Sequence, residues 1–255
     1  MNSPALGSSS AQYVTCLGDD ALVLAQRLCE WATRAPAIEE DVALMNLALD
    51  LLGQARALLS YAGELEGGGR TEDDFAYGRD EGDFRNCQLV ELPNGDFATT
   101  MARQLLFSAY QHELYRSLSA STDERIRGVA RKALKEVAYH REHAAGWVVR
   151  LGDGTEKSRV RMAAGLEAVW PFAGELFEST EFTDVVEAGI GCDAAALHRP
   201  WLGYVTSVLA EATLEAPTTT SWAPTGGRQG LHTEAFGYLL AEMQHLHRRH
   251  PGATW

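Results

Sequence analysis

The stretch from Ile38 to Leu65 constrains this chain more than any other. It opens on Glu39, Glu40 and Asp41, runs through valine, leucine, methionine and alanine without a proline, and stops at Gly67, Gly68 and Gly69. Acidic side chains suit the positive end of a helix, and glycine supplies the left-handed residue that closes one. A helix this long and apolar on most of its circumference belongs at the centre of a bundle, with the rest of the chain packed around it. Asn46, Asp50, Gln54 and Arg56 interrupt it, so it is not expected to span a membrane.

The flanking segments read as helices too. Leu22, Val23, Leu28 and Trp31 fall at helical intervals between Asp19 and Arg34, and Pro36 ends that run. Residues 67 to 95 form a charged, glycine-bearing connection with a short apolar piece from Gln88 to Leu92, expected on the surface. A third helix follows Asp96 and reaches about Ser119; a fourth is capped by Thr122 or Asp123 and runs to Gly152. The short link makes these two antiparallel neighbours. A fifth covers Glu156 to Phe177 with a bend at Pro171. Shorter helices are expected over Phe182–Ala188 and Asp193–Ala212, an extended excursion over 214–230, and a last helix from Thr233 to about Arg249. No set of strands appears. The fold class is all-α, with residues 1–12 as a mobile tail and 13–255 as one helical domain.

The chain has 255 residues and a net charge of −13, which argues against nucleic acid as a partner. Cys16, Cys29, Cys87 and Cys192 are too scattered for a zinc site or a disulfide framework, and the first residues carry no basic and apolar leader, so a cytoplasmic protein is expected.

A helical bundle raises the question of a di-iron carboxylate centre. Such a centre takes one Glu from each of two helices and a Glu-x-x-His pair from each of two others. The first two helices contain no histidine, Glu136 and His140 are four apart, and the one literal match is Glu242 with His245. His140 and His143 share a helix face without carboxylates at ligand spacing. His245, His247 and His250, beside Arg248 and Arg249, suit the negative end of a helix. Gly226-Gly227-Arg228 is compatible with phosphate binding but common in ordinary loops. Asn46, Asp50 and Gln54 recur every four residues. They form either a solvated face or an interior network in which Asp50 and Glu136 meet Arg27, Gln26, Lys135 or His140. Trp201, Tyr204, Trp222 and Trp255 are either core or anchors for another subunit.

Several stretches together resemble the PaaC family, the C-type subunits of the bacterial phenylacetyl-CoA ring 1,2-epoxidases. They are LGDDALVLAQRLCEW (17–31), EEDVALMNLALDLLGQAR (39–56), DEGDFRNCQLVELPNGDFATTMARQ (80–104), ALKEVAYHREHAAGWVVRLGDGTE (133–156), VWPFAGELF (169–177) and GGRQGLHTEAFGYLLAEMQHL (226–246). The resemblance implies a ferritin-like helical bundle with additional C-terminal helices and a non-catalytic role beside a catalytic partner that holds the iron pair. It also implies a small accessory partner and a reductase that carries electrons from NADPH through a flavin and an iron–sulfur centre. The chain itself is then expected to hold no cofactor and to work in a hetero-oligomer. Asp50, Gln54, Glu136 and His140 match the C-type pattern, so Asn46, Asp50, Gln54, Glu136 and His140 are expected to form an interior polar network in place of a metal site. The competing readings are a self-sufficient di-iron oxidase, a ferritin-type iron store and a CoA-ester binding protein.

Overall fold

The computed structural model describes residues 4–178, 181–218 and 222–253. Among them there is no strand, and the chain folds as ten α-helices with three 3-10 segments. The sequence predicts one domain over 13–255; the packing groups the chain into two compact units, Met1–Pro93 with Gly226–Trp255, and Asn94–Thr225.

The first unit is built on a helical hairpin of α1 (Pro4–Cys29) and α2 (Ile38–Glu66). The expected N-terminal tail is helical from Pro4. Ala11, Val14, Leu17, Ala21, Leu24 and Leu28 are all buried, and small side chains carry too little hydropathy for the first turns of that stripe to stand out in sequence. Gly18 lets Leu59 of α2 press against α1, since a β-carbon there would lie 2.7 Å from the Leu59 side chain. α2 closes on Gly67 in the left-handed conformation, whose N–H donates to the Gly63 and Glu64 carbonyls. Its length and hydropathy suffice to cross a bilayer, but its Leu44, Leu47, Leu51 and Leu58 are buried in the hairpin with α1.

The connection from 67 to 95 is not a surface loop. It contains α3 (Glu72–Tyr77), a 3-10 turn at Glu81–Asp83 and α4 (Gln88–Glu91), and it buries Phe75, Phe84, Asn86, Cys87, Leu89, Val90 and Glu91. Thr71 and Asp74 cap α3 reciprocally, each side chain accepting from the other's backbone N–H. This fixes the backbone next to the Arg70 carbonyl, which a β-carbon on Gly63 would approach to 2.0 Å. Gly63→Ala should therefore destabilise by roughly 3 kcal/mol, at the upper end for overpacking. Gly53→Ala, in the same helix with open space around its Cα, should stabilise by about 0.5–1 kcal/mol. Chemical denaturation of the two variants measures the contrast; equal effects would show that the Gly63 contact is not what sets its cost. α10 (Glu234–Arg249) completes the unit against α1, α3 and α4.

The second unit contains α5 (Phe97–Leu118), α6 (Glu124–Gly152), α7 (Glu156–Val169), α8 (Thr183–Glu187) and α9 (Ala194–Glu211). Asp96 caps α5 by accepting from the Thr99 N–H, and Asp123 caps α6 by accepting from Arg125 and Ile126. These two helices pack along each other as the short link requires. At Trp170 the α-helix gives way to a 3-10 segment, Trp170–Phe177, because Pro171 has no N–H and its ring crowds the preceding turn. Gly165 brings α7 against the start of α5, where a β-carbon would sit 2.9 Å from the Thr99 Cα.

The helix enclosed along most of its length is α5, not α2. Every residue from Thr100 to Gln111 is buried, including Arg103, Gln104, Ser108 and Gln111. α2 shows one face to solvent along its length.

Candidate functional site

Two adjacent acids in the middle of α1, Asp19 and Asp20, are buried in the first unit. They point in different directions because neighbours on a helix are about 100° apart. Asp19 accepts from both terminal nitrogens of Arg79, Nη1 at 2.9 Å, and from the Arg85 N–H at 2.8 Å. Arg79 is itself held by the Phe75 carbonyl at 2.6 Å and lies 4.0 Å from the centre of the Phe84 ring. Asp20 accepts from the Cys87 N–H at 2.8 Å and from Arg228 Nη1 and Nη2 at 2.9 and 2.7 Å. Burial pushes the Asp20 carboxyl above its ordinary value, and Arg228 and the Cys87 N–H pull it back.

Arg228 is presented by a 3-10 turn, Gly227–Gln229, between Gly226 and Gly230, both left-handed. A side chain on Gly230 would also strike the Gly82 carbonyl at 2.3 Å. The Gly-Gly-Arg run thus delivers a guanidinium to Asp20 and to the Cys16 and Arg85 carbonyls, at 3.2 and 2.8 Å. That arginine is committed inside the chain and is no phosphate cradle.

A third buried acid, Glu91, accepts through Oε2 from Asn86 Nδ2 at 2.9 Å and faces His232 Nδ1 at 2.8 Å. Its other oxygen accepts from the Thr233 N–H. The His232 Nε2 lies 3.2 Å from the Phe84 carbonyl, so an oxygen stands at each ring nitrogen. The side chains of His232 and Glu91 are fully buried. Arg27 donates to the Glu91 carbonyl at 2.9 and 2.7 Å, to the Ala235 carbonyl at 3.0 Å and to Glu30 at 2.7 Å. Gln244 donates to the Ala76 and Arg79 carbonyls. The segment from Gly226 to Arg249 is in this way stitched to α1 and to the connection after α2.

The residues expected to form one interior network have different surroundings. Gln54 and His140 are buried, Asp50 and Glu136 are half-buried, and Lys132 lies 3.7 Å from Glu136. Asn46 is exposed, so it is no interior group of this chain: it lies on the side of α2 turned away from Leu44, Leu47 and Leu51. Among the described residues no three His, Cys, Asp or Glu side chains converge closely enough to hold a metal ion. At the end of α10 His247 stacks on Tyr77 with ring centres 5.0 Å apart, and Arg248 pairs with Asp80 at 2.9 Å. Trp201 is core and donates to the Leu106 carbonyl at 2.9 Å, whereas Trp222 is exposed. Arg141 lies 4.3 Å from the Tyr204 ring centre, and burial raises the Tyr204 hydroxyl above its ordinary value. Trp255 lies outside the described residues.

Sequence reasoning misses Asp19, Asp20, Arg79, Asn86, Glu91, Arg228 and His232 as one buried cluster. The signal available is the Asp19-Asp20 pair amid apolar residues, which reads as a helix start only if the helix begins there; with α1 starting at Pro4 the same pair sits mid-helix.

The profile of the family described as phenylacetic acid catabolic protein matches residues 4–255. The chain belongs to that family. Like the phenylacetic acid catabolic proteins, it has an all-α, ferritin-like helical fold. It is 46% identical over 244 residues, 95% of this chain and 98% of the relative, to the Escherichia coli (strain K12) protein named as the C-type subunit of 1,2-phenylacetyl-CoA epoxidase.

Proposed function

We propose that this chain is the non-catalytic, C-type subunit of a multicomponent phenylacetyl-CoA epoxidase in aerobic phenylacetate catabolism. In this reading it is a structural support for a separate di-iron catalytic subunit, working with a small accessory protein and with a reductase that delivers electrons from NADPH through flavin and iron–sulfur groups. The relative's name supports membership of such a complex. The observation that carries the non-catalytic role is the state of the buried acids Asp19, Asp20 and Glu91. Asp19 and Asp20 are each matched by an arginine of the same chain, and Glu91 is held by Asn86, His232 and the Thr233 N–H, so the oxygens a metal would need are already engaged within the chain. A donor set of this kind does not fit an iron pair. The four cysteines are free thiols, in keeping with a reducing compartment, and we place the complex in the cytoplasm.

The test is metal analysis and turnover with purified components. The chain alone should carry iron far below one atom per molecule after dialysis and convert no phenylacetyl-CoA. Added to the di-iron subunit with the reductase, it should raise the epoxidation rate. Stoichiometric iron that survives dialysis, or turnover by the chain alone, would make it an oxidase in its own right.

A further inference from the structure

Within the second unit, α9, the 3-10 segment Trp170–Phe177 and residues 222–223 border an open-mouthed cavity of about 420 Å³. Its walls are mostly rings, those of Trp170, Phe177, Trp201 and Trp222. The Trp201 ring centre lies 5.9 Å from that of Trp170 and 4.9 Å from that of Phe177. Beside the rings the lining is small, with Ala173, Gly174 and Ala223, and a β-carbon on Gly174 would meet nothing within 4 Å. The walls are fastened by the chain itself. Trp201 donates its indole N–H to the Leu106 carbonyl at 2.9 Å, and Trp222 packs edge-on to Phe172 at 5.3 Å. The Thr225 hydroxyl donates to the Glu178 carboxylate at 2.7 Å, tying the segment that carries Trp222 to the end of the 3-10 segment.

The chemistry of the lining narrows what can fill this space. A cavity of about 150 Å³ holds one benzene ring, so the volume here takes a ring with a short chain attached. Water inside meets few polar partners, and an apolar group that displaces poorly held water gains by doing so. Among the described lining residues none is acidic, so an ammonium group would find rings but no negative charge beside them. The titratable lining residue is His198, exposed at the rim with its ring centre 4.8 Å from that of Phe177. Ring pairs gain from edge-to-face and offset contacts beyond the area they bury, which favours an aromatic occupant over an aliphatic one of the same size.

We infer that this cavity binds a small aromatic acid. The ring lies among Trp170, Phe177, Trp201 and Trp222, and the carboxylate leaves through the mouth, where an imidazole N–H of His198 donates to it. The site is independent of the functional reading above, so failure of either leaves the other standing.

The test titrates the full chain with sodium phenylacetate, a probe of one ring, one methylene and one carboxylate, followed by ligand-observed saturation-transfer NMR. Binding should saturate, cyclohexylacetate should bind roughly 2- to 10-fold more weakly, and tetramethylammonium should not compete. Gly174→Leu, whose side chain grows into the open space, should weaken phenylacetate binding at least ~10-fold, and Trp222→Ala about 3-fold. His198→Ala should weaken phenylacetate more than toluene, which has the ring without the carboxylate. Tyr238→Ala, an exposed aromatic residue of the first unit, should leave binding unchanged. Circular dichroism checks each variant; should Gly174→Leu not fold, the largely exposed Trp222 still carries the comparison. The proposal is overturned if phenylacetate binding does not saturate, or if both cavity variants bind it as the wild type does. Equal affinity for cyclohexylacetate would make the cavity apolar without a preference for rings, and competition by tetramethylammonium would make it a cation cage. An equal effect of His198→Ala on phenylacetate and toluene would remove the carboxylate from the rim. Each of these three results also overturns it.

Discussion

Arg228→Met should lower the stability of the protein by about 3–5 kcal/mol, the range for removing one partner of a buried ion pair. The guanidinium holds both oxygens of Asp20 and two backbone carbonyls, and without it the Cys87 N–H is left donating to that carboxylate. The loss should depend on pH, with a sign set by Asp20. Burial raises this carboxyl in the folded state above its unfolded value, so the folded chain holds the proton more tightly. Its contribution is therefore most favourable below the unfolded value and declines as pH rises toward the folded value. Removing Arg228 removes the main influence pulling that value down, which carries the decline to higher pH and deepens it. Urea denaturation should accordingly show a smaller deficit for Arg228→Met at pH 5 than at pH 8. Asp20→Leu combined with Arg228→Met should recover most of the loss, because an apolar pair of similar volume avoids burying either charge. Equal deficits at both pH values, together with a double variant no better than the single, would show that the ion pair is not what fastens this turn to α1.

The helices are legible wherever apolar residues repeat at helical spacing between recognisable ends. α2, α6 and α10 begin and end within a few residues of expectation, because first-turn acids, Asp123, Thr233 and Gly67 mark their limits. The errors have a common cause. Hydropathy reports how apolar a side chain is, whereas burial depends on what surrounds it. The rank of the two long helices is therefore reversed: α2 has the more apolar sequence but shows Ile38, Val42, Leu49 and Leu52 to solvent, while α5 encloses Arg103, Gln104, Ser108 and Gln111. Two of them are held by local bonds that no periodicity reveals, Ser108 to the Gln104 carbonyl at 2.5 Å and Arg103 to Asn94 at 2.6 Å. The buried acids are hidden for a further reason. Asp20 and Arg228 are 208 residues apart, and Glu91 and His232 are 141 apart. A single sequence gives the chemistry of each partner but not which partner it meets.

Trp201→Ala is expected to cost about 3–5 kcal/mol, as for other large aromatic side chains removed from a core. The residue is almost fully buried on α9, with ring centres 5.9 Å from Trp170 and 4.9 Å from Phe177, and its indole N–H fixes the ring by donating to the Leu106 carbonyl of α5. Trp201→Phe keeps part of the packing and loses the hydrogen bond, so it should cost roughly 1–2 kcal/mol. Trp222 provides the comparison, because it packs edge-on to Phe172 at 5.3 Å yet is largely exposed. Trp222→Ala should change stability by less than about 1 kcal/mol, since little area is lost from a packed interior. Thermal and denaturant unfolding of the three variants orders them. A Trp222→Ala loss as large as that of Trp201→Ala would mean that the exposed indole contributes to the core of this unit. The expected order leaves Trp222 as a surface group whose substitution tests association without disturbing the fold, whereas any effect of Trp201 on assembly passes through the seating of α9 on α5.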